Sequence, residues 1–129
     1  AEVKGLEHVP EGGIRCEKCF VLRLSETAKL AQAHGFDYFT TSLTISPLKN
    51  ATLLNKVGEA VAAEYCHGAT AFLNSDFKKK NGYKRSVELS AEHHLYRQDY
   101  CGCVFSKREA KLRDSINLTS PLRCNKIYL

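Results

Sequence analysis

The stretch FDYFTTSLTISPLKNATLLNKVGEAVAAEYCHGATAFLNSDF, residues 36–77, changes its hydrophobic period twice. Phe36 to Ile45 is aromatic and β-branched with little charge, which predicts an interior strand. Ser46-Pro47 reads as the N-cap and first position of a following helix. Leu54, Val57, Val61 and Tyr65 then recur at helical spacing, and Gly68 closes that helix. Ala69 to Phe77 predicts a second, short strand. Strand, helix and strand in this order imply a parallel, helix-covered sheet. Two parallel strands leave faces and edges in need of partners, so the sheet is expected to be incomplete in this chain.

Working outward, residues 1–15 are broken by Pro10 and Gly12-Gly13 and read as irregular. A helix is expected from about Glu17 to His34, with Phe20, Leu24, Ala28 and Ala31 buried and Gly35 at its end. On the other side, Phe77 to Arg85 reads as a basic loop around the turn-forming Asn81-Gly82. The stretch Glu88 to Ser106 begins as a helix, with Val87, Ala91 and Leu95 four residues apart and Leu89, Tyr96 and Tyr100 on a second apolar line. It ends in Cys101-Gly102-Cys103, where the glycine is expected to allow a sharp turn. The tail from Lys107 is weakly patterned.

Composition narrows the class. With 129 residues and 43% hydrophobic side chains, the chain fits one domain with a real core. No run is long enough to cross a bilayer, and the N-terminus lacks a basic-then-apolar layout, so a cytoplasmic protein is expected. The chain holds no methionine and starts at Ala1. A processed chain or a piece of a longer reading frame would look like this, and the piece is the expectation. Nineteen Lys and Arg against 14 Asp and Glu give a net charge of +5, which permits a polyanionic partner. The basic residues between Phe77 and Arg85 interleave with aromatics, as nucleic-acid contacts do, although a solvated loop has the same composition.

The six cysteines fall as Cys16-x-x-Cys19, Cys66, Cys101-x-Cys103 and Cys124. Close pairs amid charged, helical sequence fit metal or redox chemistry in a reducing compartment better than staples. Two sulfurs one residue apart strain as a disulfide but suit two bonds to one metal. Cys16 and Cys19 are the leading ligand candidates, with a structural or redox disulfide as the alternative. Cys66, at the end of an amphipathic helix, reads as a small buried hydrophobe. Cys124 reads as incidental. His93 and His94 read as surface residues, and Asp76 and Glu88 are open between structural and proton-holding roles.

Several motifs carry a resemblance. Arg15-Cys-x-x-Cys-Phe with Arg23-Leu-x-x-Thr-Ala, and Phe39-Thr-Thr-x-Leu-x-Ile-Ser-Pro-x-Lys-Asn50, resemble signatures of the cobalamin-independent, iron–sulfur epoxyqueuosine reductases. Asp76-Phe-Lys-Lys, Gly82-Tyr-x-x-Ser, Glu88-Leu-Ser and Leu95-Tyr-Arg-Gln-x-Tyr-Cys-Gly-Cys103 continue it in order. The similarity runs from about Val3 to Ser106, leaving residues 107–129 as a divergent tail. The resemblance implies a three-layer, nucleotide-hydrolase-like (HUP-type) α/β fold. It further implies reduction of epoxyqueuosine to queuosine at the tRNA wobble position, the last step of queuosine biosynthesis. The first strand and paired-cysteine motif that open the family domain are absent from this sequence. Residues 1–129 are therefore expected to be the C-terminal portion of a single domain, inactive and marginally soluble alone.

Deoxygenating an epoxide to an alkene requires two electrons and a way to draw off oxygen, which no ordinary side chain supplies. A [4Fe–4S] cluster, with room for an additional iron, is thus expected with ligands among Cys16, Cys19, Cys101 and Cys103, completed by cysteines of the absent segment. Cys101 and Cys103 are catalytic candidates too, either as ligands or as a thiol pair relaying electrons from an unidentified donor. Lys78, Lys79, Arg85 and Arg97 are expected to contact tRNA. A zinc-bearing RNA-binding module and a disulfide-linked structural domain remain as alternatives from other classes.

Overall fold

The computed structural model of the chain describes residues 3–118, the last two by their backbone alone. It is an α/β protein of two compact units, Ala1–Lys84 and Arg85–Leu129. Residues 119–129 of the tail, Cys124 among them, lie outside the described residues.

The first unit is built on the expected strand–helix–strand. Helix α1 (Ile14–Ala33) precedes strand β1 (Tyr38–Phe39), helix α2 (Ala51–Tyr65) and strand β2 (Ala71–Phe72). The strands pair in parallel, Tyr38 with Ala71 and Phe39 with Phe72. The predicted α1 stripe of Phe20, Leu24, Ala28 and Ala31 is buried, as are Leu54, Val57 and Val61 of α2, and the two sets share one core with Phe39. Phe39 and Phe72 meet edge to face with ring centroids 5.2 Å apart. The close approach of α2 to β2 requires Gly58, because a Cβ there would lie 2.4 Å from the Phe72 ring. Leu54 is fully buried. Leu54→Ala is therefore expected to cost about 3 kcal/mol, read as a lowered thermal midpoint in the full-length protein.

The strand boundaries differ from the sequence reading for a local reason. Thr41 Oγ1 accepts the Leu43 N–H at 3.2 Å and caps a 3₁₀ turn, Ser42–Ile45, which ends the expected strand early. Phe36 and Tyr38 are exposed rather than interior. Ser46 does not cap α2. Its hydroxyl accepts the Leu48 N–H within a turn, and Asn50 Oδ1 caps the helix by accepting from Leu53 at 3.1 Å. Gly35, with φ +69°, takes the left-handed position after α1, as expected.

The basic segment is also not a loop throughout. Lys79–Asn81 form a 3₁₀ turn that leads directly into helix α3 (Gly82–Glu92). Lys80 and Asn81 both hold left-handed backbone, at φ +54° and +60°. Gly82 follows because a Cβ there would collide with the Phe77 carbonyl, 1.9 Å away.

In the second unit α3 stops earlier than the apolar spacing suggests. His94 turns left-handed at φ +51°, and the Leu95 N–H closes on Ser90 O at 2.8 Å. Leu95 and Tyr96 are consequently off the helix and exposed, so the second apolar line is not a buried face. The stretch read as weakly patterned contains a helix, α4 (Val104–Leu118). Lys, Arg, Glu, Ala and Leu favour helix without leaving a strong stripe.

Candidate thiolate centre and basic face

Helix starts leave backbone N–H groups without intrahelical partners and carry partial positive charge. Both cysteine pairs sit at such starts. Cys16 is the third residue of α1, nearly buried, and its Sγ accepts the Gly12 N–H at 3.3 Å. Gly13 precedes the helix with no side-chain cap, so the cysteine sulfur performs part of the capping. Cys19, half-buried, lies three residues further on the same face, where Cβ atoms are about 5–6 Å apart. Cys103 immediately precedes α4, and its Sγ accepts the Ser106 N–H at 3.4 Å. Ser106 Oγ in turn accepts the Cys101 N–H at 2.9 Å. The pair is joined by a three-residue turn in which Cys103 N–H reaches Cys101 O at 2.5 Å.

Gly102 is not what makes that turn possible. Its backbone is not left-handed, and a Cβ would meet nothing within 4 Å.

The five described cysteines are free, so no disulfide forms among them. Cys16 and Cys19 belong to the first unit and Cys101 and Cys103 to the second. Within either unit, among the described residues, no three His, Cys, Asp or Glu side chains gather as a metal site. The donor set still fits a thiophilic metal centre: reduced sulfurs in short-spaced pairs, each pair bearing an N–H···S hydrogen bond at a helix N-terminus. Cys66 fits the packing reading. It is fully buried, and its thiol donates to Ala28 O at 3.7 Å.

A charged pair that the residue patterns did not single out supports Cys16. Lys49 is buried, and its Nζ binds Glu11 Oε1 at 2.5 Å while lying 6.0 Å from the Phe20 ring centroid. Glu11 adjoins Gly12, the donor to Cys16. The available signal was a lysine inside an otherwise apolar and hydroxyl-bearing run, opposite an acid in the glycine-rich N-terminal segment.

The four expected RNA contacts differ in how free they are. Lys78 is engaged internally. Its ammonium donates to Thr44 O at 2.7 Å and Lys49 O at 3.1 Å and pairs with Asp76 at 3.5 Å. Thr44, fully buried, binds Ser75 Oγ and the Phe77 N–H through its hydroxyl, so these contacts join the segments after β1 and β2. Asp76 is thereby structural, its carboxylate also accepting the Lys78 N–H at 3.2 Å. Lys79 and Arg85 are exposed, and Arg85 makes a long, 3.5 Å contact with Glu88. Arg97 is exposed but anchored, donating to Ser86 O at 3.1 Å and Ser90 Oγ at 2.9 Å. Elsewhere on the surface, the hydrogen bond that Lys29 donates to the Glu26 carboxylate holds the Lys29 pKa above its ordinary value.

A parallel strand–helix–strand unit with a cysteine pair on its first helix, followed by a helical unit with a second pair, defines an α/β protein bearing two pairs of free cysteines. Its class sharpens when the sequence is compared with known families. The chain belongs to the epoxyqueuosine reductase QueH family, whose model matches residues 1–109. It is 53% identical over 107 residues to the epoxyqueuosine reductase QueH of Streptococcus pyogenes serotype M1, covering 83% of this chain and 41% of that protein. Identity to the Staphylococcus epidermidis protein of the same name is 49% over 106 residues, 82% of this chain and 43% of the relative. The Thermotoga maritima protein, also so named, is 38% identical over 109 residues, 84% and 55% respectively. The chain spans about half the length of the curated relatives it matches. Among the described residues, no helix is long and apolar enough to cross a membrane.

Proposed function

We propose that this chain supplies thiolate ligands and part of the RNA-facing surface of a cytoplasmic, cobalamin-independent epoxyqueuosine reductase. The observation that carries the reading is the placement of both cysteine pairs at helix N-termini in a chain of this family. The finer architecture is the three-layer HUP-type sheet, of which β1 and β2 are neighbouring strands. Removing an epoxide oxygen to leave an alkene consumes two electrons and two protons and releases water. A bound [4Fe–4S] cluster, with or without a further iron, supplies electrons and a Lewis acid for the departing oxygen.

The residues of this chain have narrower tasks. Cys16 and Cys19 would hold the metal from consecutive turns of α1, with the Cys16 sulfur oriented by the Gly12 N–H. Cys101 and Cys103 either add ligands or pass electrons from the donor as a thiol pair. Lys79 and Arg85 contact the tRNA backbone, and Arg97 lies closer to the modified nucleotide. Lys78 chiefly holds the segment that carries Lys79, since its ammonium is tied to Thr44, Lys49 and Asp76.

The function is tested by expressing the full-length protein in bacteria lacking their epoxyqueuosine reductase. Mass spectrometry of tRNA nucleosides should show queuosine replacing epoxyqueuosine, and unchanged epoxyqueuosine would refute the activity. A second outcome separates the basic side chains. Lys79→Ala with Arg85→Ala should reduce the slope of log affinity against log salt by about 0.7–0.9 per lost phosphate contact. Lys78→Ala should chiefly lower thermal stability. An unchanged salt slope in the double variant would return Lys79 and Arg85 to an ordinary solvated surface.

A further inference from the structure

We infer that Ser106 is the positioning residue for the Cys101–Cys103 thiol pair, an inference that rests on the metal or electron-relay role proposed for that pair. Ser106 touches both cysteines through different atoms. Its Oγ accepts the Cys101 N–H at 2.9 Å, and its own N–H donates to Cys103 Sγ at 3.4 Å. It is only 2% exposed, so its own side of both bonds is shielded from bulk water. Because it is the third residue of α4, its backbone is fixed by that helix. The arrangement is a capping exchange with cysteine in the cap position: the cap sulfur takes the N–H of the third residue, and that residue's side chain reaches back.

The exchange has a chemical consequence. Cys101 and Cys103 are joined by a short turn whose Gly102 brings no side chain to hold it. Ser106 supplies that hold by fixing the backbone at one cysteine and the sulfur at the other. The Cys103 sulfur and the Cys101 backbone are thus held at the start of α4 before any metal or oxidised partner arrives.

The test uses the full-length protein with Ser106→Ala, Ser106→Thr and, as a helix control, Ala110→Gly. Ala110 is buried on α4, and its methyl side chain has no polar atom to offer either cysteine. In metal-free, reduced protein at one fixed pH, the iodoacetamide alkylation rates of Cys101 and Cys103 are followed by mass spectrometry. Iron content and the electronic spectrum are followed in the anaerobic holoprotein. Ser106→Ala, which keeps the backbone N–H to Cys103 Sγ and removes only the Oγ contact to the Cys101 N–H, should change the ratio of the two alkylation rates several-fold and lower metal affinity by roughly 10-fold, the lower end of the usual cost of removing support around a ligand. Ser106→Thr, retaining the hydroxyl, should restore the ratio. Ala110→Gly should lower the melting temperature and leave the ratio unchanged.

A wild-type ratio in Ser106→Ala would overturn the inference. So would the same change in Ala110→Gly, or a Thr variant as altered as Ala, since either would assign the effect to helix stability or packing. The alkylation ratio reads Ser106 even if the wild-type protein binds no iron. Absence of iron would instead defeat the proposed function.

Discussion

Serine at Cys16 or Cys19 in the full-length, anaerobically purified protein is expected to remove most of the iron and acid-labile sulfide together with turnover. The hydroxyl is a harder and far less acidic donor than a thiolate, so the bond to iron is lost rather than weakened. Loss of a supporting hydrogen bond alone typically costs about 10–100-fold, and removal of a ligand should exceed that. Cys101→Ser and Cys103→Ser divide two roles. A ligand variant should lose cluster and turnover together. A relay variant should keep the cluster and lose turnover only with the physiological donor. Cys66→Ser is the internal control, because that thiol is fully buried against Ala28 O and belongs to the core. It should leave cluster and turnover largely intact. Full cluster content in all four paired-cysteine variants would exclude the ligand assignment.

Lys49→Met is expected to be the most destabilising charge removal in the chain, at about 3 kcal/mol. The Lys49 and Glu11 side chains are 4% and 19% exposed, so removing one partner takes the countercharge from the other where water reaches it poorly. For a unit of this size that loss corresponds to a fall in thermal midpoint of more than about 10 °C. Glu11→Gln combined with Lys49→Met should recover most of the loss, because neither charge of the pair is then left behind. The single variant should also speed alkylation of Cys16, since the Glu11 segment carries the Gly12 N–H that engages its sulfur. A single variant as stable as the double would show that solvent already screens the pair.

How far the sequence revealed these features depends on which forces set them. The α1 and α2 stripes were legible because burial imposes a 3.6-residue period, and Phe20, Leu24, Leu54 and Val61 obey it. The parallel order of β1 and β2 followed from chain connectivity. Strand length did not. Thr41 diverts the backbone through one side-chain hydrogen bond, a choice that the β-branched composition of Thr40-Thr41 conceals. At the beginning of α4 the Cys103 sulfur accepts the Ser106 N–H while Ser106 Oγ accepts from Cys101, so cysteine stands where serine or aspartate would have signalled a cap.

The candidate site shows the same division. Cysteine spacing made the thiol pairs visible, and the ordered motifs pointed to the family that matches residues 1–109. Lysine count could not distinguish Lys78, whose ammonium is tied to two carbonyls and a carboxylate, from exposed Lys79. Lys49 was hidden for the opposite reason: its charge is balanced by Glu11, 38 residues away in sequence. Pattern reading finds periodic burial and repeated residue types, whereas single long-range polar contacts emerge only when the chain is folded.

Quantifying iron, acid-labile sulfide and zinc in the anaerobically purified full-length protein tests the thiolate centre most directly. Iron and sulfide in equal amounts, at about four of each per chain for a [4Fe–4S] cluster, together with little zinc, are the expected result. Any further iron would appear as an excess over sulfide. Stoichiometric zinc without sulfide, or neither metal with all cysteines accounted for as thiols or disulfides, would contradict a redox metal centre in this protein.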